Sequence, residues 1–233
     1  ITYGGCGDVL LMAPLIASLK KALPDAAIDV YTQKHRSDML AGNPNVRRCI
    51  EAQHRHGIAS YLEFVFRQTL RYDLAISARP SDRQVLFARA AGRRAVSFVQ
   101  NQHRKKLWQK VVLDGWMHKH SEMHEGLQIL GLADVMGIEK VFECLPPSDS
   151  ASAQRLQSLV PFDWTTTPFV LMHLTPRNPY KEWSLEGWGA VVKHLHAKGL
   201  RIVLVGGPSS YETHYAADLA QRNPVGIVDL TGK

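Results

Sequence analysis

Cysteine is scarce in this sequence of 233 residues, and the three that it has stand far apart, at positions 6, 49 and 144. An odd number without a repeated spacing excludes a disulfide framework and a cysteine-based metal site. Long apolar runs are absent as well, since no stretch approaches the roughly 20 residues that cross a bilayer. No signal peptide is evident. These absences predict a globular protein of the reducing cytoplasm.

Acidic residues are few in one part of the chain, so the net charge of +7 is unevenly distributed. Between Arg79 and Lys119, ten basic residues accompany two acidic ones, which gives that segment +8 and leaves −1 for the remainder. A local positive field favours an anionic partner: nucleic acid, an anionic membrane surface or a phosphorylated substrate. The alternative is a solvated basic face that only keeps the protein soluble.

Short apolar stretches alternate with helix-period segments, which indicates repeated strand–helix units. Strands are predicted at residues 28–32, 73–77, 95–99, 169–172, 201–205 and 225–230. Helices are predicted at residues 60–70, 84–91, 120–136, 185–197 and 210–221, together with a helix from Val9 that Pro14 kinks near its start. The alternation predicts an α/β fold in which helices cover both faces of parallel sheets.

A change in composition divides the chain into two predicted domains. Residues 145–150, Leu-Pro-Pro-Ser-Asp-Ser, form a linker-like run. We expect one Rossmann-like domain over residues 1–155 and a second over residues 156–233, with ligands in the cleft between them at the carboxyl ends of the strands. Because the second domain has only three predicted strands, we expect the sequence to be truncated at both ends.

The chain opens with a glycine-rich turn, Gly4-Gly5-Cys6-Gly7, which leads through Asp8 into an apolar helix. Such turns usually hold a phosphate, because the free N–H groups of a helix N-terminus attract an anion. Here the residue that enters the helix is itself an anion. Asp8 either caps the helix by accepting backbone hydrogen bonds or serves as a general base that faces a cleft.

One loop in the second half carries groups that suit a diphosphate. Residues 173–184 follow a predicted strand directly and precede a helix. They supply the hydroxyl of Thr175, the guanidinium of Arg177 and the ammonium of Lys181 beside the free amides of the helix start. An ordinary polar connection is the alternative.

A second loop places Gly206 and Gly207 directly after a buried strand. Glycine lets the backbone come close to a ligand at the edge of a sheet. Glu212 follows in the next helix. Many strand–helix turns have this composition, so the pattern gains weight only in combination with others.

Basic side chains in the first half are candidates for anion contacts. Arg79 and Arg83 belong to the loop after the strand at residues 73–77, where they suit bidentate binding of phosphate or carboxylate. Farther on, basic and aromatic residues are interleaved, which is typical of a surface that meets anionic lipid or a nucleic-acid backbone. The basic members of that run are Arg104, Lys105 and Lys106.

Two histidines, His120 and His124, have the i, i+4 spacing of metal-binding helices. The sequence contains no H-E-x-x-H match, and no cysteine is near them. We therefore interpret them as surface histidines at a helix start and predict no metal.

Taken in order, these pieces resemble the bacterial ADP-heptose:lipopolysaccharide heptosyltransferases of glycosyltransferase family 9. Residues 7–16, Gly-Asp-Val-Leu-Leu-Met-Ala-Pro-Leu-Ile, are similar to the family's G-D-V-L-L-T-T-P-L-I. Residues 181–188, Lys-Glu-Trp-Ser-Leu-Glu-Gly-Trp, are similar to K-R-W-P-x-E-x-W. The similarity covers nearly the whole chain and includes residues 23–30, 43–44, 206–208 with 212, and 230–233.

The resemblance implies a GT-B fold, in which two Rossmann-like domains face each other across a cleft. It implies that the first domain takes the lipopolysaccharide inner-core acceptor and the second takes the nucleotide sugar. Transfer of heptose would invert the anomeric carbon and need neither metal nor cofactor. The implied partners are ADP-heptose and the anionic core and lipid A of the acceptor. Peripheral contact with the inner face of the inner membrane is expected, and nucleic acid is not.

The resemblance also assigns residues. Asp8 matches the family's catalytic aspartate, and Thr175 and Lys181 match its diphosphate contacts. The other expected nucleotide-sugar contacts are Arg177, Gly206, Gly207 and Glu212. The expected acceptor contacts are Gly5, Gly7, Arg79, Arg83, Arg104, Lys105 and Lys106. Two positions depart from the family pattern: Thr2 replaces a frequent Arg or Lys, and Ser210 replaces an acidic residue that holds the ribose.

Other functions remain open at this point. A related glycosyltransferase would use a different sugar nucleotide. A basic module without catalysis would bind nucleic acid or an anionic surface through the +8 segment. A nicotinamide dehydrogenase is disfavoured, because Val9 and Leu10 occupy the place where the third glycine of G-x-G-x-x-G should fall.

Overall fold

The structure is a computed structural model that describes residues 5–52, 66–100, 107–120, 122–176, 178–224 and 226–233. The chain divides into two compact units, Ile1–Asp149 (unit 1) and Ser150–Lys233 (unit 2). The expected boundary at residue 155 lies inside the helix Ser150–Leu159 that opens unit 2. Within the described ranges, every helix is too short or too polar to cross a lipid bilayer.

Unit 1 consists of parallel strands and the helices that connect them. Its described helices are α1 (Cys6–Leu10), α2 (Ala13–Ala22), α3 (Asp82–Ala91), α4 (Leu107–Val112) and α5 (Glu125–Val135), with a 3-10 turn at Ser37–Leu40. Its described strands are β1 (Asp29–Gln33), β2 (Arg48–Ala52), β3 (Tyr72–Ser77), β4 (Gly92–Val99) and β5 (Gly115–His118). β1 pairs with β2, and β3, β4 and β5 form a sheet in that order. Each of these pairings is parallel.

Unit 2 repeats the same strand–helix plan on a smaller scale. Its described elements are α6 (Ser150–Leu159), β6 (Phe169–His173), a 3-10 turn at Pro179–Lys181, α7 (Leu185–Ala197), β7 (Arg201–Val205), α8 (Ser210–Arg222) and β8 (Ile227–Asp229). The three strands pair in parallel in the order β6-β7-β8. The predicted α/β fold class is therefore confirmed.

Strand β4 shows that unit 1 has helices on both faces of its three-stranded sheet. Val96 and Phe98 pack into one apolar core with residues of α2 and α5. Ala95 and Val99, which point to the opposite face, pack into a second core with residues of α3. Side chains alternate between the faces of a strand, so a strand buried on both faces reads as a continuous apolar run.

The helix predicted at residues 120–136 begins later than expected, at Glu125, so that part of the prediction is wrong. The side chain of Gln128 holds the preceding segment out of the helix. Its Oε1 accepts a hydrogen bond from the backbone N–H of His120 (2.8 Å), and its Nε2 donates to the carbonyl of Met123 (2.8 Å). His124 has a non-helical backbone, with φ −53° and ψ 128°. His120 and His124 therefore do not share a helical face.

The predicted kink near Pro14 is a complete break between two helices. α1 ends at Leu10, and α2 begins at Ala13 with the proline in its first turn, where a missing backbone N–H is tolerated. Val9 in α1 is fully buried, and Leu15 and Ile16 in α2 are at most 2% exposed. The short α1 is thus anchored by its own apolar contact and ends at a turn before the longer helix.

Asp29 ties the two sheets of unit 1 together. Its Oδ1 accepts from Arg47 Nε at 2.7 Å, and its Oδ2 accepts from Arg48 Nε and from the Tyr72 hydroxyl, both at 2.9 Å. Burial opposes the charge of the carboxylate, but the hydrogen bonds from Arg47, Tyr72 and Arg48 outweigh it and lower the pKa of Asp29. β1 is thus joined to β3 through a single side chain that is 2% exposed.

Replacing Asp29 with Asn should loosen this junction, because two arginines and Tyr72 lose a charged acceptor. We expect amide hydrogen exchange in β1 and β3 to accelerate about 10-fold, measured by mass spectrometry on the whole chain at pH 7. Asp73→Asn is the matched control, since that carboxylate is exposed one residue after Tyr72. Equal protection of β1 and β3 in both variants would contradict the assignment.

Candidate active site

The carboxylate of Asp8 is held at the start of α1. Asp8 is the third residue of that helix, and Gly5 is the residue before it. The backbone N–H of Gly5 donates to Asp8 Oδ2 at 2.5 Å. This contact is the acidic half of a capping box, in which a side chain at the third position satisfies the amide that precedes the helix. The capping hypothesis for Asp8 is therefore supported, and the cap uses Oδ2.

Arg79 approaches the same oxygen from another element. Its Nη2 forms an ion pair with Asp8 Oδ2, and the side chains of Asp8 and Arg79 are 25% and 34% exposed. No partner contacts Asp8 Oδ1 among the described residues. The pair is thus partly open to solvent, and both of its described donors meet at Oδ2.

The two glycines near Asp8 have different surroundings. A Cβ at Gly5 would lie 3.6 Å from Asp8 Oδ2 and 3.8 Å from Arg36 Nη1, so Gly5 faces the charged pair. A Cβ at Gly7 would have nothing within 4 Å. The space beside Gly7 is therefore open for an approaching molecule.

Of the other basic residues expected to contact the acceptor, Arg83 is the one that the structure describes. Its guanidinium lies over the ring of Phe87, 5.2 Å from its centroid. Arg104, Lys105 and Lys106 lie outside the described residues. Of the predicted basic contacts, the structure therefore brings Arg79 alone to the carboxylate, within the described part of unit 1.

In unit 2, the side chain of Glu212 joins two loops at the carboxyl ends of neighbouring strands. Its Oε2 accepts from the backbone N–H of Gly207 at 2.6 Å and from the hydroxyl of Thr175 at 3.2 Å. Its Oε1 accepts from the Ser209 hydroxyl at 3.0 Å. Thr175, Gly207 and Glu212 are thus brought together as the sequence analysis expects, with the carboxylate at their centre.

These hydrogen bonds set the charge of Glu212. The Gly207 N–H has the largest effect and, with Ser209 and Thr175, holds the pKa of this carboxyl below its ordinary 4.5, although burial opposes that shift. The space that the glycines leave is filled by the same carboxylate, because a Cβ at Gly207 would lie 2.7 Å from Glu212 Oε1 and one at Gly206 3.2 Å from Oε2. Glycine at these positions accommodates Glu212.

Lys181 lies apart from the Glu212 contacts, in the 3-10 turn before α7. Its backbone N–H donates to the carbonyl of Asn178 at 3.0 Å, and its Nζ lies 5.7 Å from the ring centroid of Tyr180. Arg177 lies outside the described residues. The ammonium of Lys181 is thus exposed at the end of a loop.

Helix α8 fixes the backbone of that loop. The hydroxyl of Tyr215 donates to the carbonyl of Trp183 at 2.5 Å, and the hydroxyl of Tyr211 donates to Glu182. The bond to Glu182, together with burial and the nearby charges, raises the pKa of Tyr211 to about 12. The ring of Trp183 packs on Gly187, where a Cβ would lie 2.6 Å from it. The loop that carries Lys181 is therefore anchored directly after the lysine.

Within the described residues, neither a cluster of metal-ligating side chains nor the cavity in unit 1 forms part of the two candidate sites. Among the described residues, no group of three or more His, Cys, Asp or Glu side chains is placed to hold a metal ion. A mainly apolar cavity of about 430 Å³ lies in unit 1 beside α2 and the beginnings of β1 and β3. None of the candidate site residues lines that cavity.

Parallel strand–helix units with polar groups at the carboxyl ends of the strands define a Rossmann-like class of ligand-binding protein. The model of "Glycosyltransferase family 9 (heptosyltransferase)" matches residues 87–233, which is more than half of the chain. The chain therefore belongs to glycosyltransferase family 9.

Curated relatives agree with that family. The chain is 28% identical to lipopolysaccharide heptosyltransferase 3 of Escherichia coli, over 92% of this chain and 65% of the relative. It is 23% identical to the protein of the same name from Escherichia coli strain K12, over 92% of this chain and 64% of the relative. The chain thus spans about two thirds of the length of the curated relatives it matches.

Solved structures share the fold. The family 9 glycosyl transferase from Veillonella parvula DSM 2008 matches with a TM-score of 0.82 at 15% identity, over 99% of this chain and 67% of that one. E. coli heptosyltransferase WaaC with ADP-2-deoxy-2-fluoro heptose matches with a TM-score of 0.73 at 17% identity, over 99% of this chain and 75% of that one. The fold is therefore of the GT-B type, as the resemblance implied.

Replacing Glu212 with Gln should loosen the strand ends of unit 2. The carboxylate offers two accepting oxygens to the donors of Gly207, Thr175 and Ser209, whereas the amide offers one. We expect amide exchange in β6 and β7 to accelerate about 10-fold at pH 7. Glu212 has a lowered pKa in the folded state. The contribution of this carboxylate to the free energy of unfolding is therefore complete above the pKa that Glu212 has in the unfolded state. It is lost as the pH falls through the pKa of the folded state. The difference between the variants should shrink towards pH 3.

The control for this measurement is Glu186→Gln, which alters an exposed carboxylate in the first turn of α7. Its exchange should match that of the unaltered protein at every pH. A Glu212→Gln variant with unaltered protection of β6 and β7 would show that the carboxylate does not hold these loops.

Proposed function

We propose that the full-length protein carrying this chain transfers a heptose from ADP-L-glycero-D-manno-heptose to the inner core of lipopolysaccharide. Family membership supports the class of reaction. The names of the curated relatives support lipopolysaccharide as the acceptor, and the ligand of WaaC supports ADP-heptose as the donor. The observation that carries the proposal is the Asp8 carboxylate, whose Oδ2 is anchored by Gly5 and whose Oδ1 has no hydrogen bond from any residue that the structure describes.

The proposed chemistry is a single displacement that inverts the anomeric carbon. Asp8 Oδ1 removes the proton of the acceptor hydroxyl while the hydroxyl oxygen bonds to that carbon. The bond between the carbon and the diphosphate oxygen breaks on the opposite side, and ADP leaves with the electron pair. A diphosphate is a good leaving group, so a second carboxylate that protonates it, as in inverting hydrolases, is not required. No step in this scheme uses a metal.

On the donor side, unit 2 supplies positive charge for the leaving diphosphate. α7 begins at Leu185 after the Ser184 cap, and its first amides favour an anion. The Lys181 ammonium lies in the loop just before that helix. Thr175 contributes its hydroxyl, which turns from Glu212 to a diphosphate oxygen when the donor binds. These groups stabilise developing negative charge without a metal ion.

On the acceptor side, unit 1 supplies the base and positive charge. The acidic sugars and phosphates of the inner core match the positive charge of the segment from Arg79 to Lys119. Arg83 and the basic run at residues 104–106 are the proposed contacts, and Gly7 leaves room for the sugar. A positive surface of this kind also fits peripheral attachment at the cytoplasmic face of the inner membrane.

Replacing Asp8 with Asn should abolish transfer, because an amide oxygen cannot take the proton. We expect kcat to fall by about 10²–10⁴-fold while the affinity for ADP and the melting temperature change little. The measurement is heptose transfer by the full-length protein, with ADP release followed over time. Near-normal turnover of this variant would exclude Asp8 as the base.

The matched control is Asp134→Asn, which removes a carboxylate from an exposed ion pair with Lys140. It should retain full activity. Assays with UDP- and GDP-sugars in place of ADP-heptose test the alternative donor, and a preference for either would overturn the proposed substrate while retaining the proposed reaction.

Replacing Lys181 with Ala should weaken donor binding, because the diphosphate loses a charge-assisted hydrogen bond. We expect the affinity for ADP to fall about 10- to 100-fold, with a steeper effect at low salt. Calorimetric titration of ADP measures it. Lys193→Ala, an exposed lysine in α7, is the control. Equal affinity in both variants would remove Lys181 from the proposed site.

A further inference from the structure

We propose that Arg79 is a positioning residue that orients the carboxylate of Asp8. The sequence analysis instead predicts that Arg79 contacts the acceptor. This inference rests on the proposed function, because it assigns the second partner of the proposed base. Arg79 lies 71 positions after Asp8 in the chain, on the loop that follows β3, and its Nη2 pairs with Asp8 Oδ2. It is thus the contact that ties α1 to the edge of the three-stranded sheet.

The two oxygens of Asp8 have different surroundings, and this difference decides which one can act. Oδ2 accepts from the backbone of Gly5 and from Arg79, so both donors bind the same atom. Oδ1 has no partner among the described residues. A base needs a free lone pair that points to the proton it removes. The arrangement therefore fixes Oδ2 and directs Oδ1 as the accepting atom.

The backbone of Arg79 is itself held by the buried hydroxyl of Ser77. Ser77 Oγ donates to the carbonyl of Arg79 at 2.9 Å and accepts from its N–H at 3.4 Å. Ser97 Oγ, on the neighbouring strand β4, lies 3.1 Å from the carbonyl of Phe98 and 3.5 Å from that of Arg79. Both serines are fully buried, with 0% exposure. Hydroxyls are rarely placed in a core without a partner, and the nearest acceptor of Ser77 is the backbone of Arg79.

The far side of the same loop is fixed as well. Ser81 caps α3 by accepting from the N–H of Gln84 at 3.3 Å. Gln109, which is also fully buried, donates to Asp82 Oδ1 at 2.6 Å and approaches the carbonyl of Pro80 at 3.5 Å. Arg79 is therefore held in place from both directions along the chain. A residue that only attracts a variable anionic acceptor has no need of such a rigid support.

Arginine suits this task because its guanidinium stays charged and its fork has fixed geometry. Because the pair is 25% and 34% exposed, a bound acceptor can reach Oδ1 without first breaking the pair. Arg79 thus orients the base while the reaction proceeds.

The test compares Arg79→Gln and Arg79→Lys in the full-length protein. A positioning role predicts that Arg79→Gln lowers kcat by about 10- to 100-fold, with the KM for the acceptor little changed. Arg79→Lys, which keeps the positive charge, should restore part of kcat. A raised acceptor KM at unchanged kcat would overturn the proposal and return Arg79 to acceptor binding.

The matched control is Arg222→Gln, which removes an arginine from an exposed ion pair with Asp218. It should leave kcat and the acceptor KM unaltered. A second readout does not depend on transfer: the NMR signal of the Gly5 amide, which donates to Asp8 Oδ2 and is assigned with Asp8→Asn. This signal should shift in Arg79→Gln, because Oδ2 then loses its second donor.

The two readouts separate the two proposals. If the unaltered protein transfers no heptose, the proposed function fails, and the Gly5 amide signal still tests the pair. An identical Gly5 amide signal in the unaltered protein and in Arg79→Gln would show that Arg79 does not act on the carboxylate, whatever the activity.

Discussion

Parallel pairing of the strands is the constraint on which both candidate sites depend. Strands that run in one direction end at one edge of their sheet, so loops distant in sequence meet there. In unit 1 the loop after β3 brings Arg79 to Asp8. In unit 2 the loops after β6 and β7 bring Thr175 and Gly207 to Glu212. The polar clusters are thus consequences of strand direction, and the apolar cores behind them keep the strands in register.

Prediction of the fold succeeded where burial alone decides the local structure. α7 and β7 have the bounds that the apolar pattern predicted, residues 185–197 and 201–205. It failed where a side chain competes with the backbone. Gln128 reaches back to residues 120 and 123 and holds them out of the helix, which no periodicity reveals. Strand β2 was missed because its residues are mixed in polarity, and its burial pattern has no alternation.

The predicted site residues keep their roles as predictions, and the structure adds partners that the sequence did not indicate. The ion pair between Asp8 and Arg79 joins residues 71 positions apart, and no local pattern connects them. A signal was available for Glu212. Ser209 and Glu212 form the S-x-x-E pattern of a capping box, which indicates that the carboxylate faces backward to the loop. The glycines at 206 and 207 then accommodate this side chain, which composition alone did not suggest.

The anchored loop before α7 has a consequence for the thermodynamics of anion binding. Its backbone is tied to α8 through the hydroxyl of Tyr215, which binds the carbonyl of Trp183, and the hydroxyl of Tyr211 binds the side chain of Glu182. Conformational entropy that a free segment would lose on binding has been lost at these two residues in folding. The flexible stem of Lys181 still has to be ordered. At the proposed diphosphate site, the tyrosines would thus contribute to affinity without touching the anion.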